Sequence, residues 1–326
     1  MKKKAHHFIA QTYLSSFSNA EGKICMYRKD DPHNVIRQRP ERIAKHKHYY
    51  RQPVPNGGFD HNSLEDLFSQ VEAKWPDIVR RLRMKEDVND CLEDIFQFIA
   101  LHRVRVPAAR DACETILAET VRLVGRHLDH VGKLPPLPKA LEHLGNVWNH
   151  VEVAIDPHQS IHAMVAMLRG MAKLVETIGI GALHNTTDVP FLTSDNPVIW
   201  FDPSVSKAEL RPYAIRIDGP ITLLFPVSPD LLIYGHSSMR DQFAVHGFGY
   251  GDLSARSTVE EMNALVCQFA YEAVFASVDT FTDLVAKHPD KSPIVRTQTV
   301  PTKDGESVIS QFVWGKRIRK PKWNNK

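Results

Sequence analysis

Residues 221–234 read ITLLFPVSPDLLIY: two apolar runs, Ile221–Phe225 and Leu231–Tyr234, on either side of Ser228-Pro229-Asp230. Each run is short, rich in side chains that suit a pleated surface and bounded by turn residues, which predicts strands. Working outward, Phe191–Thr193, Val198–Phe201 and Tyr213–Ile217 share that texture. Downstream the pattern predicts a helix at about 257–273, a strand at 274–277, a short helix at 279–288 and an extended pair near 294–300 and 307–314.

Upstream the periodicity changes from two to about 3.6. Leu64, Leu67, Phe68, Val71, Trp75, Ile78, Val79 and Leu82 recur at helical spacing, with Ser63 placed as N-cap and Asp66 in the first turn. A second helix is predicted over about Val88–Val104. Pro107 breaks or restarts it, because an interior proline removes a hydrogen bond and clashes with the preceding turn. A third helix runs to about His130. Pro135, Pro136 and Pro138 then interrupt the chain, and shorter helices are predicted near 138–150 and 158–178. At the N-terminus, residues 8–17 lead through the turn Asn19–Gly22 into a strand at Lys23–Tyr27, and then a polar stretch to about Tyr50. The order of strand, helices and strands predicts an α+β fold. Its parts are an N-terminal strand region (1–60), a helical middle (61–178), a C-terminal mixed β-sheet with a late helix (179–315) and a basic tail (316–326).

Composition narrows the class. Hydrophobic residues make up 43% and charged residues 24% of 326, which excludes a disordered or fibrous chain. The formal net charge is +3, so no global field draws a polyanion. Basic residues do cluster: six Lys or Arg and no acid in 316–326, and Arg37, Arg39, Arg42, Lys45, Lys47 and Arg51. Such runs are solvated termini and loops, or phosphate contacts. The four cysteines form no CxxC pair, and with no secretory leader evident they read as reduced thiols of a cytoplasmic protein. No apolar run approaches the roughly 18 residues of a membrane helix, so no membrane partner is expected.

Several segments share an unusual chemical selection. His6-His7, Gln11, Tyr13, Leu14 and Phe17 form an HH…Q.YL..F pattern. Lys47–Tyr50, Glu65 to Glu72, Arg105-Val106-Pro107 with Arg110, Thr193-Ser194-Asp195-Asn196-Pro197, Phe225–Pro229 and Asn263 follow. Together they resemble the bacterial domain-of-unknown-function family 4238, with Ala10 where that pattern carries proline. The resemblance spans most of the chain and implies no settled activity.

The chemistry of these residues supports two readings. Adjacent histidines on a strand face opposite ways, so one of His6 and His7 points inward. Imidazole serves as acid or base near neutral pH. Glu72 borders the apolar stripe of its helix, and Arg105 is a suitable partner for a carboxylate or a developing negative charge. Asp195 follows an apolar strand at a turn. A cleft joining His6 or His7, Gln11, Glu72, Arg105 and Asp195 suits hydrolysis of a phosphodiester in nucleic acid, a nuclease, with Glu72 and Asp195 as ligands of Mg²⁺ or Mn²⁺. The rival reading is a non-enzymatic nucleic-acid or protein binding module, in which the same residues form a buried structural network and the basic tail contacts phosphates. His158 and His162 stand one helical turn apart but lack the glutamate of HExxH. Gly247–Gly251 lacks a phosphate-loop layout and reads as a loop.

Overall fold

Apolar side chains at helical spacing give the middle of the chain its helices, and β-branched runs give the C-terminal half its sheets. The computed structural model describes residues 5–317 apart from Asn56, Ile217 and Asp304; residues 318–326, most of the basic tail, lie outside the described residues. The chain opens with β1 (Ala5–His7), the short α1 (Gln11–Ser15), β2 (Ile24–Arg28), β3 (Asp31–Gln38) and β4 (Lys45–Lys47). β4 returns to pair antiparallel with β1, placing His6 opposite His46. A two-rung ladder, β5 (Gln52–Pro53) and β6 (Phe59–Asp60), precedes the helices.

The helical middle comprises α2 (Ser63–Ala73), α3 (Trp75–Arg83), α4 (Leu92–Val104), α5 (Pro107–His130) and α6 (Pro157–Val175). The single helix expected across Leu64–Leu82 is two. Pro76 stands in the first turn of α3, where its missing N–H has no helical partner to lose. Ser63 is not the cap: Asp60 Oδ1 accepts the N–H groups of Asn62 and Ser63 at 2.9 and 3.1 Å. Pro107 opens α5, as its position predicts. The stretch 138–150 forms only the 3₁₀ turns Lys139–Leu144 and Val147–Asn149.

The remaining elements are β7 (Gly179–Asn185), β8 (Thr193–Ser194), β9 (Ile199–Phe201), β10 (Thr222–Ser228), β11 (Leu231–His236), α7 (Arg240–His246), β12 (Gly249–Leu253), α8 (Arg256–Phe269), β13 (Ala273–Ala276), α9 (Thr282–Ala286), β14 (Ser292–Thr302) and β15 (Gly305–Gly315). One sheet has the order β12-β7-β11-β10-β9 and another β3-β2-β13-β8. The N-terminal strand β2 therefore completes a sheet of the C-terminal half, with Tyr27 opposite Val274. β14 and β15 form a long hairpin. Two expectations fail here. Residues 211–216 are irregular rather than a strand, and Tyr213 has φ +57°. Gly247–Gly251 contributes an edge strand, not a loop: β12 runs parallel to β7 with Gly249 opposite Gly181. A Cβ on Gly181 would stand 2.7 Å from Gly249 O, so glycine is what lets these strands pair.

The five-stranded sheet is buried on both faces, which explains its continuous apolar runs. Leu223, Phe225, Leu231 and Ile233 join a core with Trp75, Ile95, Phe98 and Ile99 of the helices. Leu224 and Leu232, on the opposite face, pack with Val259, Val266, Phe269 and Val274. The motif residues lie along these two cores.

Candidate functional site

The N-terminal segment is tied to the helices by a buried histidine. His102 Nδ1–H donates to Phe98 O one turn back at 2.9 Å, which leaves Nε2 as an acceptor. It receives the Ala10 N–H at 3.2 Å and an Arg105 Nη2–H at 3.1 Å. Burial, reinforced by the Arg105 charge, holds this imidazole well below the usual histidine range, so it is neutral. Arg105 ends α4, is 1% exposed, and places Nη1 2.5 Å from Glu72 Oε1. Glu72 remains 21% exposed, so the ion pair reaches the surface at its acidic end.

Of the two adjacent histidines, His6 is the inward one. It is buried, accepts the Tyr50 N–H at 2.8 Å and stacks on the Tyr50 ring at 5.5 Å. His7 faces outward and is half-buried. Its Nε2 meets Glu41 O at 3.3 Å, and Gln11 Nε2 lies 3.1 Å from Nδ1. A donating Nε2–H and an accepting Nδ1 satisfy both contacts. Burial lowers the His7 pKa, opposed by the Glu41 carbonyl and the charges of Glu65 and Glu72. His7, Gln11, Glu72, Arg105 and His102 thus form one constellation, with the Glu65 carboxylate 3.4 Å from the His7 N–H.

Asp195 is held elsewhere. Its Oδ1 accepts the Tyr271 N–H at 2.8 Å and Oδ2 the Glu272 N–H at 2.6 Å, so both oxygens clamp the start of β13. Burial and the neighbouring Glu272 push its pKa up to about 7, against those two N–H groups and Lys29. Lys29 Nζ donates to Ala270 O at 2.9 Å, and burial draws its pKa down to about 8. The next residue acts in the same way: Asn196 Nδ2 donates to Phe269 O at 2.8 Å and to Tyr213 OH at 2.6 Å. Tyr13 OH meets Thr193 Oγ1 at 2.5 Å and donates to Pro226 O at 2.7 Å. Asn263 closes the set, accepting the Leu192 N–H at 3.0 Å and donating to Pro190 O at 2.9 Å. Asp195 lines a cleft of about 220 Å³ with Phe8, Arg28, Lys45, His46, Glu272 and Arg317.

The six expected site residues therefore divide. Glu72 and Arg105 meet, and His7, bonded to Gln11, feels the Glu72 charge; His6 is buried against Tyr50, and Asp195 lines the separate 220 Å³ cleft. Glu72 Oε1 faces Arg105, whereas the two Asp195 oxygens accept the backbone N–H groups of Tyr271 and Glu272. Among the described residues no group of three or more His, Cys, Asp or Glu is arranged to hold a metal ion. His102, Arg103, Lys29 and His46 are additions that periodicity alone did not single out. His102 and Arg103 carried a signal, as polar residues inside the apolar run Ile99–Val106. Lys29 and His46 carried none.

A family model described as "Protein of unknown function (DUF4238)" matches residues 5–280. Neither a search of curated proteins nor one of solved structures found a match. The matched span contains the His6-His7 pair, Glu72, Arg105, the Thr193–Pro197 turn and Asn263, and ends before the β14–β15 hairpin. The chain belongs to the DUF4238 family.

Proposed function

We propose that this protein binds the sugar–phosphate backbone of nucleic acid at the Asp195 cleft. The observation that carries the reading is the position of Arg317, which lines this cleft with Arg28 and Lys45, so the basic run continuing through Arg319, Lys320, Lys322 and Lys326 begins at its rim. Arg28 is paired with Asp30 and Arg317 with Glu272 in solvent-exposed contacts. Exposed pairs of this kind are weak and exchange readily for phosphate. Lys45 Nζ donates to a backbone carbonyl, Glu41 O at 2.6 Å, and adds a cation. Most motif residues, meanwhile, are occupied in holding segments together, as the binding-module reading expects. Four cysteines without a CxxC pair fit a reducing, cytoplasmic setting. Fluorescence anisotropy with labelled single-stranded RNA, single-stranded DNA and duplex DNA tests the proposal. Lys45→Gln should weaken binding of all three alike and reduce the salt dependence. Unchanged affinity would remove the cleft from the binding surface.

A second reading, phosphodiester hydrolysis, is favoured by one observation. His7 is half-buried, lowered in pKa and held by Gln11 next to Glu65 and Glu72, so a neutral imidazole stands at the surface beside carboxylates. Cleavage of labelled RNA or DNA with Mg²⁺, Mn²⁺ or EDTA, lost by roughly 10²-fold in His7→Ala, would support it. Absence of cleavage under all three conditions would leave binding alone.

A further inference from the structure

A cleft of about 370 Å³ runs along α5 from Ala108 to Arg122 and shares no lining residue with the Asp195 cleft. Small side chains on this face of the helix, Ala108, Ala112 and Ala118, leave the space open. Ile155 and Ile294 supply apolar walls opposite them. Four carboxylates line the cleft, Asp111, Glu114, Glu119 and Glu152, and among the described residues Arg122 is the one basic side chain that does. Arg122 is itself paired, with Nη1 2.7 Å from Glu119 Oε1. The lining is therefore acidic in a protein whose formal net charge is +3.

Tyr271 lines this cleft too, and it connects the cleft to the end of the described chain. Its OH donates to Asp111 Oδ2 at 2.5 Å, and the Arg317 guanidinium carbon lies 5.1 Å from its ring centre. The described residues end at Arg317, hence beside the cleft. Residues 318–326, IRKPKWNNK, follow outside them, with Arg319, Lys320, Lys322 and Lys326, no acid, and Ile318 and Trp323 as apolar side chains. Nine residues reach up to about 30 Å when extended, whereas α5 from Ala108 to Arg122 rises about 21 Å. Length, charge and apolar content all match.

We propose that the cleft along α5 is the docking site of the chain's own basic segment, residues 318–326. Lysine and arginine stems lie on the alanine and isoleucine walls while their charges meet the carboxylates. Carboxylates gathered in a partly apolar cleft focus their field on a cation more than scattered surface charges do. Tethering makes a weak contact sufficient, because a short linker holds the segment at an effective concentration of about 1 mM. The docking does not rest on the nucleic-acid reading; where both operate, a polyanion competes with the cleft for the same cations.

The test uses a full chain carrying Arg319→Gln, Lys320→Gln, Lys322→Gln and Lys326→Gln, and a fluorescent peptide of residues 318–326 with the unaltered sequence. At low salt the peptide should bind this neutralised chain with a dissociation constant of about 100 µM or tighter. It should bind the wild-type protein roughly tenfold more weakly, because the tethered segment competes at about 1 mM. Glu119→Lys with Glu152→Lys, added to the neutralised chain, should weaken the peptide roughly tenfold. Glu152→Lys alone, at an exposed position, should still weaken it if the double variant fails to fold. Hydrogen exchange at 108–122 and 152–155 should be slower in the wild-type chain than in the neutralised one. No nucleic acid enters these measurements, so their failure is distinct from failure of the RNA titration. No peptide binding to the neutralised chain, or indifference to Glu152→Lys, overturns the proposal. Equal peptide binding by the wild-type and neutralised chains also overturns it, and would mean that the cleft takes a basic partner in trans.

Discussion

Asp195 and Arg105 are both buried charges, but their environments make opposite demands. Asp195 has a folded pKa of about 7 against an ordinary value of 3.8, because burial and Glu272 disfavour the carboxylate. A carboxyl whose pKa is raised on folding contributes its stability at low pH and loses it as pH climbs from about 4 through 7. Asp195→Asn removes that titration. Between pH 5 and pH 8 the stability difference between variant and wild type should therefore move in the variant's favour. The change amounts to roughly 1.4 kcal/mol for each pH unit crossed below the folded pKa. Urea denaturation at both pH values measures it; a pH-independent difference would show that the two clamping N–H groups outweigh burial. For Arg105 the partner is Glu72. Glu72→Ala strands a guanidinium that is 1% exposed and should cost about 3 kcal/mol, with Glu72→Gln milder because an acceptor remains. A loss below about 0.5 kcal/mol for Glu72→Ala would mean the pair contributes only as a surface contact. The Glu72–Arg105 pairing was legible in the sequence, because a carboxylate beside an apolar stripe needs a partner and Arg105 precedes a break. The Asp195 clamp was not: its partners are backbone N–H groups, which nearly every residue has.

At the scale of elements, the motif residues act as latches between segments far apart in sequence. The short α1, of five residues, has little stability of its own, and Tyr13 fixes it to β8 and β10 through Thr193 and Pro226. Tyr13→Phe leaves Pro226 O without that donor and should cost about 1–2 kcal/mol. A double-mutant cycle with Thr193→Val should show coupling of at least about 0.5 kcal/mol. Additive losses would mean that α1 is held by apolar packing alone. The same scale explains which elements could be read. α4, α5 and the β14–β15 hairpin follow apolar spacing and proline position, so periodicity finds them. β12 is built on Gly249 and Gly251 and so reads as a loop, and its partner β7 carries Gly181, where the close approach of Gly249 O leaves no room for a Cβ. β3, DPHNVIRQ, has no continuous buried face and lacks the alternation that marks a strand. The break between α2 and α3 is set by Pro76, whose effect on a helical pattern is local enough to be passed over.

The whole molecule is organised by the return of its N-terminus to its C-terminal half. β2 pairs with β13, β1 pairs with β4 over the helices, and the Asp195 cleft forms where Phe8, Lys45, Glu272 and Arg317 come together. No helix among the described residues is long and apolar enough to cross a membrane. Arg28, Lys45 and Arg317 line this cleft together with Asp30, Asp195 and Glu272, and these three cations are what a polyanion would meet. The most direct test is the salt dependence of single-stranded RNA binding by the full chain and by a chain ending at Arg317. Removing Arg319, Lys320, Lys322 and Lys326 should weaken binding and lower the slope of log affinity against log salt by up to about 3, at unchanged thermal stability. An identical slope and affinity in the two proteins would contradict nucleic-acid binding through this surface.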